Sequence, residues 1–91
     1  MGSSMITPIP EFTYQRGKRR IFYVAKKNKT GKEITAILID PEDIELPILI
    51  LKEIGYGVYV TVLDLRKLGP HLVIFFENGT LAGHAIYWAA L

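Results

Sequence analysis

The dipeptide Asn78-Gly79 separates two apolar runs, residues 71–77 and 80–90, and constrains the fold more than any other feature of this sequence. Asn-Gly favours a two-residue type I′ turn, because both positions accept a positive φ angle, so the two runs are predicted to form a β-hairpin. Opposed residues of a hairpin share a face, and pairing Glu77 with Thr80 makes both faces of this one apolar. A sheet built on the hairpin therefore needs cover on both sides.

The predicted register assigns the apolar side chains of the hairpin to two faces. One face carries Leu72, Ile74, Phe76, Leu81, Ala85 and Tyr87, and the other carries Val73, Phe75, Ala82, Ile86 and Trp88. The same register places His84 opposite Val73 and His71 opposite Ile86. We expect both histidines to be packed or surface residues and not a ligand pair.

Three other segments also have the character of β-strands. Residues 21–25 and 34–39 are rich in β-branched and aromatic residues, and turn-forming residues lie between them at 28–31. These two runs are predicted to form a first β-hairpin. Residues 56–65 alternate between two sets of side chains, which predicts a further strand.

The segment Asp40-Pro41-Glu42-Asp43 has the features of a helix start: a capping carboxylate, proline at the first helical position and acids in the first turn. Apolar residues then follow at helical spacing over residues 44–54, and Gly55 is a suitable stop. Pro47 requires a kink or restart, and a strand over residues 46–51 is the alternative. The prediction is a small single α+β domain of order ββαβββ, with a mainly antiparallel sheet and one helix packed on one face.

A single helix covers only one side of such a sheet, since a helix is about 10 Å wide and neighbouring strands lie about 4.8 Å apart. The other side needs the N-terminal arm, a sheet that closes on itself, or a second copy of the chain. A homo-oligomer, most simply a dimer, is the leading expectation, and aromatic side chains are typical interface anchors. The predicted interface residues are Phe75, Ile86, Tyr87 and Trp88.

Ninety-one residues, 49% of them apolar, suffice for one small domain and exclude a largely disordered chain. Met1-Gly2-Ser3-Ser4 is typical of an expression-vector leader, and residues 5–15 are predicted to be an extended arm, so the domain is expected to span residues 16–91. No apolar run reaches the roughly 18 residues of a membrane-spanning helix, and the chain has no cysteine. We expect a cytoplasmic protein with no membrane association and no cofactor.

Positive charge is concentrated near the N-terminus: residues 1–33 have a formal charge of +6, and residues 34–91 one of −4. Concentrated positive charge attracts polyanions, so this segment is predicted to contact the phosphates of DNA or RNA. The aromatic rings of Tyr14, Phe22 and Tyr23 lie among these charges and are placed to stack on unpaired bases. The predicted nucleic-acid-binding residues are Arg16, Lys18, Arg19, Arg20, Lys26, Lys27, Lys29, Lys32, Tyr14 and Tyr23.

Other interpretations of these residues stay open. Lysines at a hairpin tip are often simply solvated, or they protect an edge strand from pairing with a neighbour. Asp40 and Asp64 are expected at one edge of the sheet and could hold Mg²⁺ in a nuclease, although capping and strand termination explain both. The leading hypothesis is a non-enzymatic nucleic-acid-binding homodimer. The alternatives are an assembly factor that docks another protein on its apolar sheet face, and the Mg²⁺-dependent nuclease.

Overall fold

The structure is a computed structural model that describes residues 11–25 and 30–91. Within those ranges the chain forms eight β-strands and no helix. The strands are β1 (Glu11–Gln15), β2 (Gly17–Val24), β3 (Ile34–Ile39), β4 (Leu49–Ile50), β5 (Lys52–Gly55), β6 (Val58–Leu65), β7 (Gly69–Glu77) and β8 (Thr80–Ala90).

The strands are arranged in two sheets. The five-stranded sheet has the order β1-β8-β7-β3-β4, and the three-stranded sheet has the order β2-β6-β5. Neighbouring strands are antiparallel throughout, except that β1 runs parallel to β8. Part of the predicted arm, residues 11–15, therefore belongs to the five-stranded sheet, whereas residues 1–10 lie outside the described residues.

Two extended segments pass from one sheet into the other. The β1 strand continues through Arg16 into β2, and Gly17 has a φ angle of 134° at that change of sheet. Glycine is favoured at such a φ angle because it has no Cβ atom. The second such segment is β4, which continues through the buried Leu51 into β5. The two sheets are thus covalently joined at both margins, and each covers the inner face of the other.

The inner faces enclose one core. Period-two alternation sends every second side chain of a strand inward, as the burial pattern of β3 shows. Complete burial of a large apolar side chain stabilises the fold by about 1.5–3 kcal/mol. The buried hydrophobic residues are Ile21, Ala25, Ile34, Ala36, Leu38, Leu51, Tyr59, Leu63, Leu65, Val73, Phe75, Ala85, Tyr87 and Ala89.

The predicted α+β class is wrong, because the segment expected to form the helix is extended. The Asp40 carboxylate does accept the backbone N–H groups of Glu42 (2.8 Å) and Ile44 (3.0 Å), but it closes a turn there and does not cap a helix. Asp43 has a φ angle of 62°, which no α-helix contains. Pro47 lacks the N–H that a helix interior needs. Of the alternative strand over residues 46–51, only β4 (Leu49–Ile50) is formed.

The first predicted hairpin is also not formed, because its two strands lie in different sheets. The β2 strand pairs with β6, and β3 pairs with β7. Residues 30–33 connect the sheets and are held by side chains from elsewhere. Glu53 accepts the N–H of Gly31, and the Tyr59 hydroxyl accepts that of Lys32. Lys26, Lys27 and Lys29, placed at the predicted hairpin tip, lie outside the described residues.

The Asn78-Gly79 hairpin is confirmed, with φ angles of 49° and 81° at its two turn residues. Its register differs from the predicted one at a β-bulge between Phe75 and Phe76. The strands start in the expected register at the turn, but beyond the bulge Phe75 is opposite Gly83, and every later residue of β8 is shifted by one position. Residues 84–90 of β8 therefore point to the opposite faces from those predicted.

The turn should be more sensitive to substitution than the bulge. Gly79→Ala places a Cβ atom on a residue with a φ angle of 81°, and we expect a loss of about 1 kcal/mol in unfolding free energy, or roughly 4–8 °C in Tm. Gly83→Ala is the matched control, because a Cβ atom there meets nothing within 4 Å. It should change stability by less than about 0.5 kcal/mol. Equal losses in thermal unfolding followed by circular dichroism would contradict this account.

Candidate nucleic-acid interface

The outer face of the three-stranded sheet combines positive charge with exposed apolar side chains. On β2 the inner positions are odd-numbered, as buried Ile21 shows, so Lys18, Arg20 and Phe22 point outward. The pairing of β2 with β6 and of β6 with β5 brings further side chains to the same face. We call this surface the cationic face, which consists of Lys18, Arg20, Phe22, Val24, Lys52, Val58, Val60, Val62 and one acid, Asp64.

The cationic face has an apolar middle. Phe22 is opposite Val60, which in turn is opposite Lys52, so the ring and the ammonium group lie on the two sides of a valine. Phe22 is 51% exposed, and Val62, opposite Arg20, is 52% exposed. Exposed aromatic and apolar groups next to cations suit a partner that has both flat apolar surfaces and negative charge.

The cations of this face are not neutralised by carboxylates of the protein. In residues 11–25 and 30–91, the ion pairs involve only Arg66 and Lys67 among the basic side chains. Asp64 is opposite Lys18 on β6, but its carboxylate accepts a hydrogen bond from Arg66. The positive potential of Lys18, Arg20 and Lys52 is therefore available to an external anion.

The other two predicted cations of residues 16–20, Arg16 and Arg19, do not lie on the cationic face. Arg19 points toward the inner side at the end of the sheet, is half-buried, and donates a hydrogen bond to the Lys18 carbonyl oxygen. Arg16 stands at the change of sheet, where its backbone N–H donates to the Ala90 carbonyl oxygen at 2.7 Å. The structure thus brings together two of the four predicted cations of residues 16–20 on one face, and adds Lys52 from β5.

Both tyrosines predicted to stack on bases are packed against the inner side of the protein. The Tyr23 ring stacks on Phe75 with centroids 4.9 Å apart, and its hydroxyl donates to the Glu77 carboxylate. Burial, and then the Glu77 carboxylate, raise the pKa of Tyr23 well above its usual value. Tyr14 stacks on Tyr87 at 6.1 Å. Phe22, the third ring expected to stack on bases, is the exposed ring of β2, as the alternation around the buried Ile21 indicates.

Burial also affects the ring that Tyr14 contacts. Tyr87 is an inner-face residue, and burial raises its pKa to about 12.

Of the predicted interface residues, Tyr87 and Phe75 are core residues, whereas Ile86 and Trp88 lie on the outer face of the five-stranded sheet. Of the two histidines, His71 is buried and its Nδ1 donates to the Gly69 carbonyl oxygen at 3.1 Å, while His84 is exposed opposite Ile74.

Asp40 and Asp64 do line one cavity, of about 450 Å³, together with Arg66 and Lys67. Asp40 already accepts two backbone N–H groups and the Lys67 ammonium group at 2.9 Å. Within the described residues, no cluster of three or more His, Asp or Glu side chains lies close enough to hold a metal ion. The contacts of Asp40 are those of a residue that fixes the loop after β3.

Two carboxyl groups are held in the ionised form by hydrogen bonds. The Lys67 ammonium group lowers the pKa of Asp40, and the backbone N–H groups of the turn add to this effect. The Thr30 hydroxyl lowers the pKa of Glu53, which also accepts N–H groups from Gly31 (2.8 Å) and Gly57 (3.2 Å). Glu53 thereby joins two segments at one end of the three-stranded sheet: the loop at Gly31, which precedes β3, and the turn at Gly57, which precedes β6.

No protein-family model matches this sequence, and a search of curated proteins finds no significant match. In the described part of the chain, no helix is long and apolar enough to cross a membrane.

The Asp40 contacts predict how stability depends on pH. Because its pKa is lowered in the folded state, Asp40 contributes its full stabilisation above the unfolded value of about 3.8, and the contribution is lost as the pH falls through the folded value. Asp40→Asn should therefore be less stable than the wild type at pH 7, and the difference should shrink as the pH falls below about 4.

The control for this experiment is Asp43→Asn, which removes a carboxylate from the same turn. Asparagine accepts the φ angle of 62° at this position, so stability at pH 7 should be unchanged or slightly increased. Urea unfolding at several pH values measures both variants. A difference between the wild type and Asp40→Asn that does not vary with pH would contradict the proposed role of this carboxylate.

Proposed function

We propose that this protein binds single-stranded nucleic acid on its cationic face, as a binding protein without catalysis of its own. The observation that carries the proposal is the combination on one sheet face of an exposed phenylalanine ring and three cations that form no ion pair within residues 11–25 and 30–91. Phosphates neutralise such cations, and every base has a flat face that stacks on an aromatic ring.

An unpaired strand fits this face better than a duplex does. The middle of the face is apolar, with Phe22 and the β6 valines between Arg20 and Lys52. A duplex presents its charged backbone and hides its base faces, whereas a single strand presents both phosphates and bases. Stacking is tolerant of sequence, so the proposal is a sequence-tolerant contact with DNA or RNA.

Three further basic residues lie outside the described part of the chain, and the proposal includes them because of their place in the sequence. Lys26, Lys27 and Lys29 follow Ala25 directly, at the end of the strand that carries Lys18, Arg20 and Phe22. Their contribution can be measured separately, since the cationic face described above does not include them.

Loss of the exposed ring should weaken binding. Stacking of one base contributes about 1–3 kcal/mol, so Phe22→Ala should raise the Kd for a short single-stranded oligonucleotide about 5- to 150-fold. Trp88→Ala is the matched control, because it removes an exposed aromatic ring from the outer face of the other sheet. Fluorescence anisotropy with labelled oligonucleotides measures both variants, and similar losses for the two would remove Phe22 from the proposed interface.

The salt dependence should report the phosphate contacts. On single strands each contact contributes about −0.7 to the slope of log K against log salt concentration, so Lys18→Ala combined with Arg20→Ala should make the slope less negative by about 1.4. Asp64→Asn is the control of opposite sign, because it removes a negative charge opposite Lys18 and should strengthen binding. If the double variant kept the wild-type slope, these two cations would not be phosphate contacts.

A specific observation also supports the alternative that the protein docks another protein chain. The outer sides of the three central strands of the five-stranded sheet, β3, β7 and β8, are largely apolar and carry no Lys, Arg, Asp or Glu.

A further inference from the structure

The second half of β6 borders an open groove at one margin of the three-stranded sheet. The edge strand β5 begins at Lys52, opposite Val60, and the strand before it, β4, pairs with β3 of the other sheet. Within the described residues, no strand therefore lies beside residues 61–65 on that side of β6. Residues 44–48, which connect β3 to β4, border the same gap, so a groove opens between this segment and β6.

The groove is large and mainly apolar. It consists of two adjoining cavities, of about 450 and 270 Å³, that share Leu46, Pro47 and Asp64. Two further apolar side chains of its walls are about half exposed, Ile44 at 47% and Val62 at 52%. The larger cavity lies within the range of about 300–1,000 Å³ that is typical of small-molecule sites. A groove of this size between apolar side chains suits a planar ring system.

The groove is continuous with the cationic face. Val62 and Asp64 belong to both, and on the cationic face they are opposite Arg20 and Lys18, respectively. Directly opposed residues of antiparallel strands have Cβ atoms about 4.5–5.5 Å apart, so these two cations stand next to the mouth of the groove. A strand whose phosphates are held by Lys18 and Arg20 thus has a base within reach of the groove.

The one acid of the cationic face, Asp64, lies where the two surfaces meet. Within residues 11–25 and 30–91 its carboxylate accepts one hydrogen bond, from the Arg66 Nε to Oδ2, and its side chain is 32% exposed. Each carboxylate oxygen can accept two hydrogen bonds, so both oxygens of Asp64 retain a free acceptor position. The Arg66 guanidinium group also balances the charge of this carboxylate, which lessens its repulsion of nearby phosphates.

We propose that the groove binds a guanine base of the bound single strand, with the Asp64 carboxylate accepting the N1–H and N2–H groups of the base. Unpaired bases are commonly recognised on their Watson–Crick edge. Guanine presents two neighbouring N–H donors there, which match the two oxygens of a carboxylate, whereas adenine, cytosine and thymine each place an acceptor beside a single donor group. The inference rests on the proposed function and adds one base preference to a contact that otherwise tolerates any sequence.

The wild-type protein and strands that differ in one base provide the first test. The probes are labelled thymidine oligonucleotides, about ten nucleotides long, with guanine, hypoxanthine or adenine at one central position. In fluorescence anisotropy, guanine should lower the Kd about 5- to 30-fold relative to the all-thymidine strand, the lower part of the range for a bidentate contact, because Asp64 is partly exposed. Hypoxanthine, which has no N2 amino group, should lose most of this gain, and adenine should lose all of it.

A fourth base distinguishes Asp64 from a rival reader. Arginine commonly binds guanine at O6 and N7, and Arg66 also lines the groove. The base 7-deazaguanine keeps the N1–H and N2–H donors but has no N7, so it should bind as tightly as guanine. Loss of the preference with 7-deazaguanine would assign the recognition to Arg66 and overturn the proposed role of Asp64.

Two variants test the carboxylate directly. Asp64→Asn replaces one acceptor oxygen by an NH₂ group, so the guanine strand should lose its advantage. The all-thymidine strand should bind this variant slightly more tightly, since a negative charge next to Lys18 is lost. Asp43→Asn is the matched control, because it removes an acid from the neighbouring loop that lines neither cavity, and it should keep the guanine preference. Circular dichroism checks that both variants fold.

The possible outcomes separate this inference from the proposed function. Equal Kd values of the wild type for the guanine and all-thymidine strands would overturn the inference alone, and so would a guanine preference that persists in folded Asp64→Asn. Absence of binding to every strand would overturn the proposed function and this inference together. The wild-type comparison decides the question even if Asp64→Asn does not fold.

Discussion

Mutual coverage of two β-sheets is the constraint on which the rest of this structure depends. The chain is short and its described part has no helix, so each sheet has to bury its inner face against the other. Two continuous segments, β1 into β2 and β4 into β5, join the sheets at their margins and bring the inner faces together. Contacts between the sheets complete this closure, such as the hydrogen bond from the Tyr23 hydroxyl to the Glu77 carboxylate.

Because the sheets cover each other on the inside, each has an outer face with its own chemistry. The three-stranded sheet presents Lys18, Arg20 and Lys52 around an apolar middle, while the central strands of the five-stranded sheet present neither Lys or Arg nor Asp or Glu. These faces belong to different sheets, so a substitution on one of them leaves the side chains of the other unchanged.

Much of the strand content could be predicted from local sequence, since alternation and turn chemistry act over a few residues. The strand at residues 34–39 and the Asn78-Gly79 turn are examples. The helix prediction failed because capping signals at Asp40 serve a turn equally well, and because proline at position 47 opposes a helix interior. The inward direction of Tyr23 follows from its position two residues after Ile21. The inward direction of Tyr14 depends on the pairing of β1 with β8, and such pairing over long sequence distances leaves no local pattern.

The sequence by itself determined the strand-forming segments, the type I′ turn, the concentration of positive charge before residue 34, and an apolar surplus too large for one sheet face. Only the tertiary structure decided that β2 and β3 belong to different sheets, and that one bulge exchanges the faces of residues 84–90. The physical reason is that side chains in a strand alternate with a period of two. A single inserted residue or a different partner strand therefore changes which residues are buried, while the local propensities stay the same.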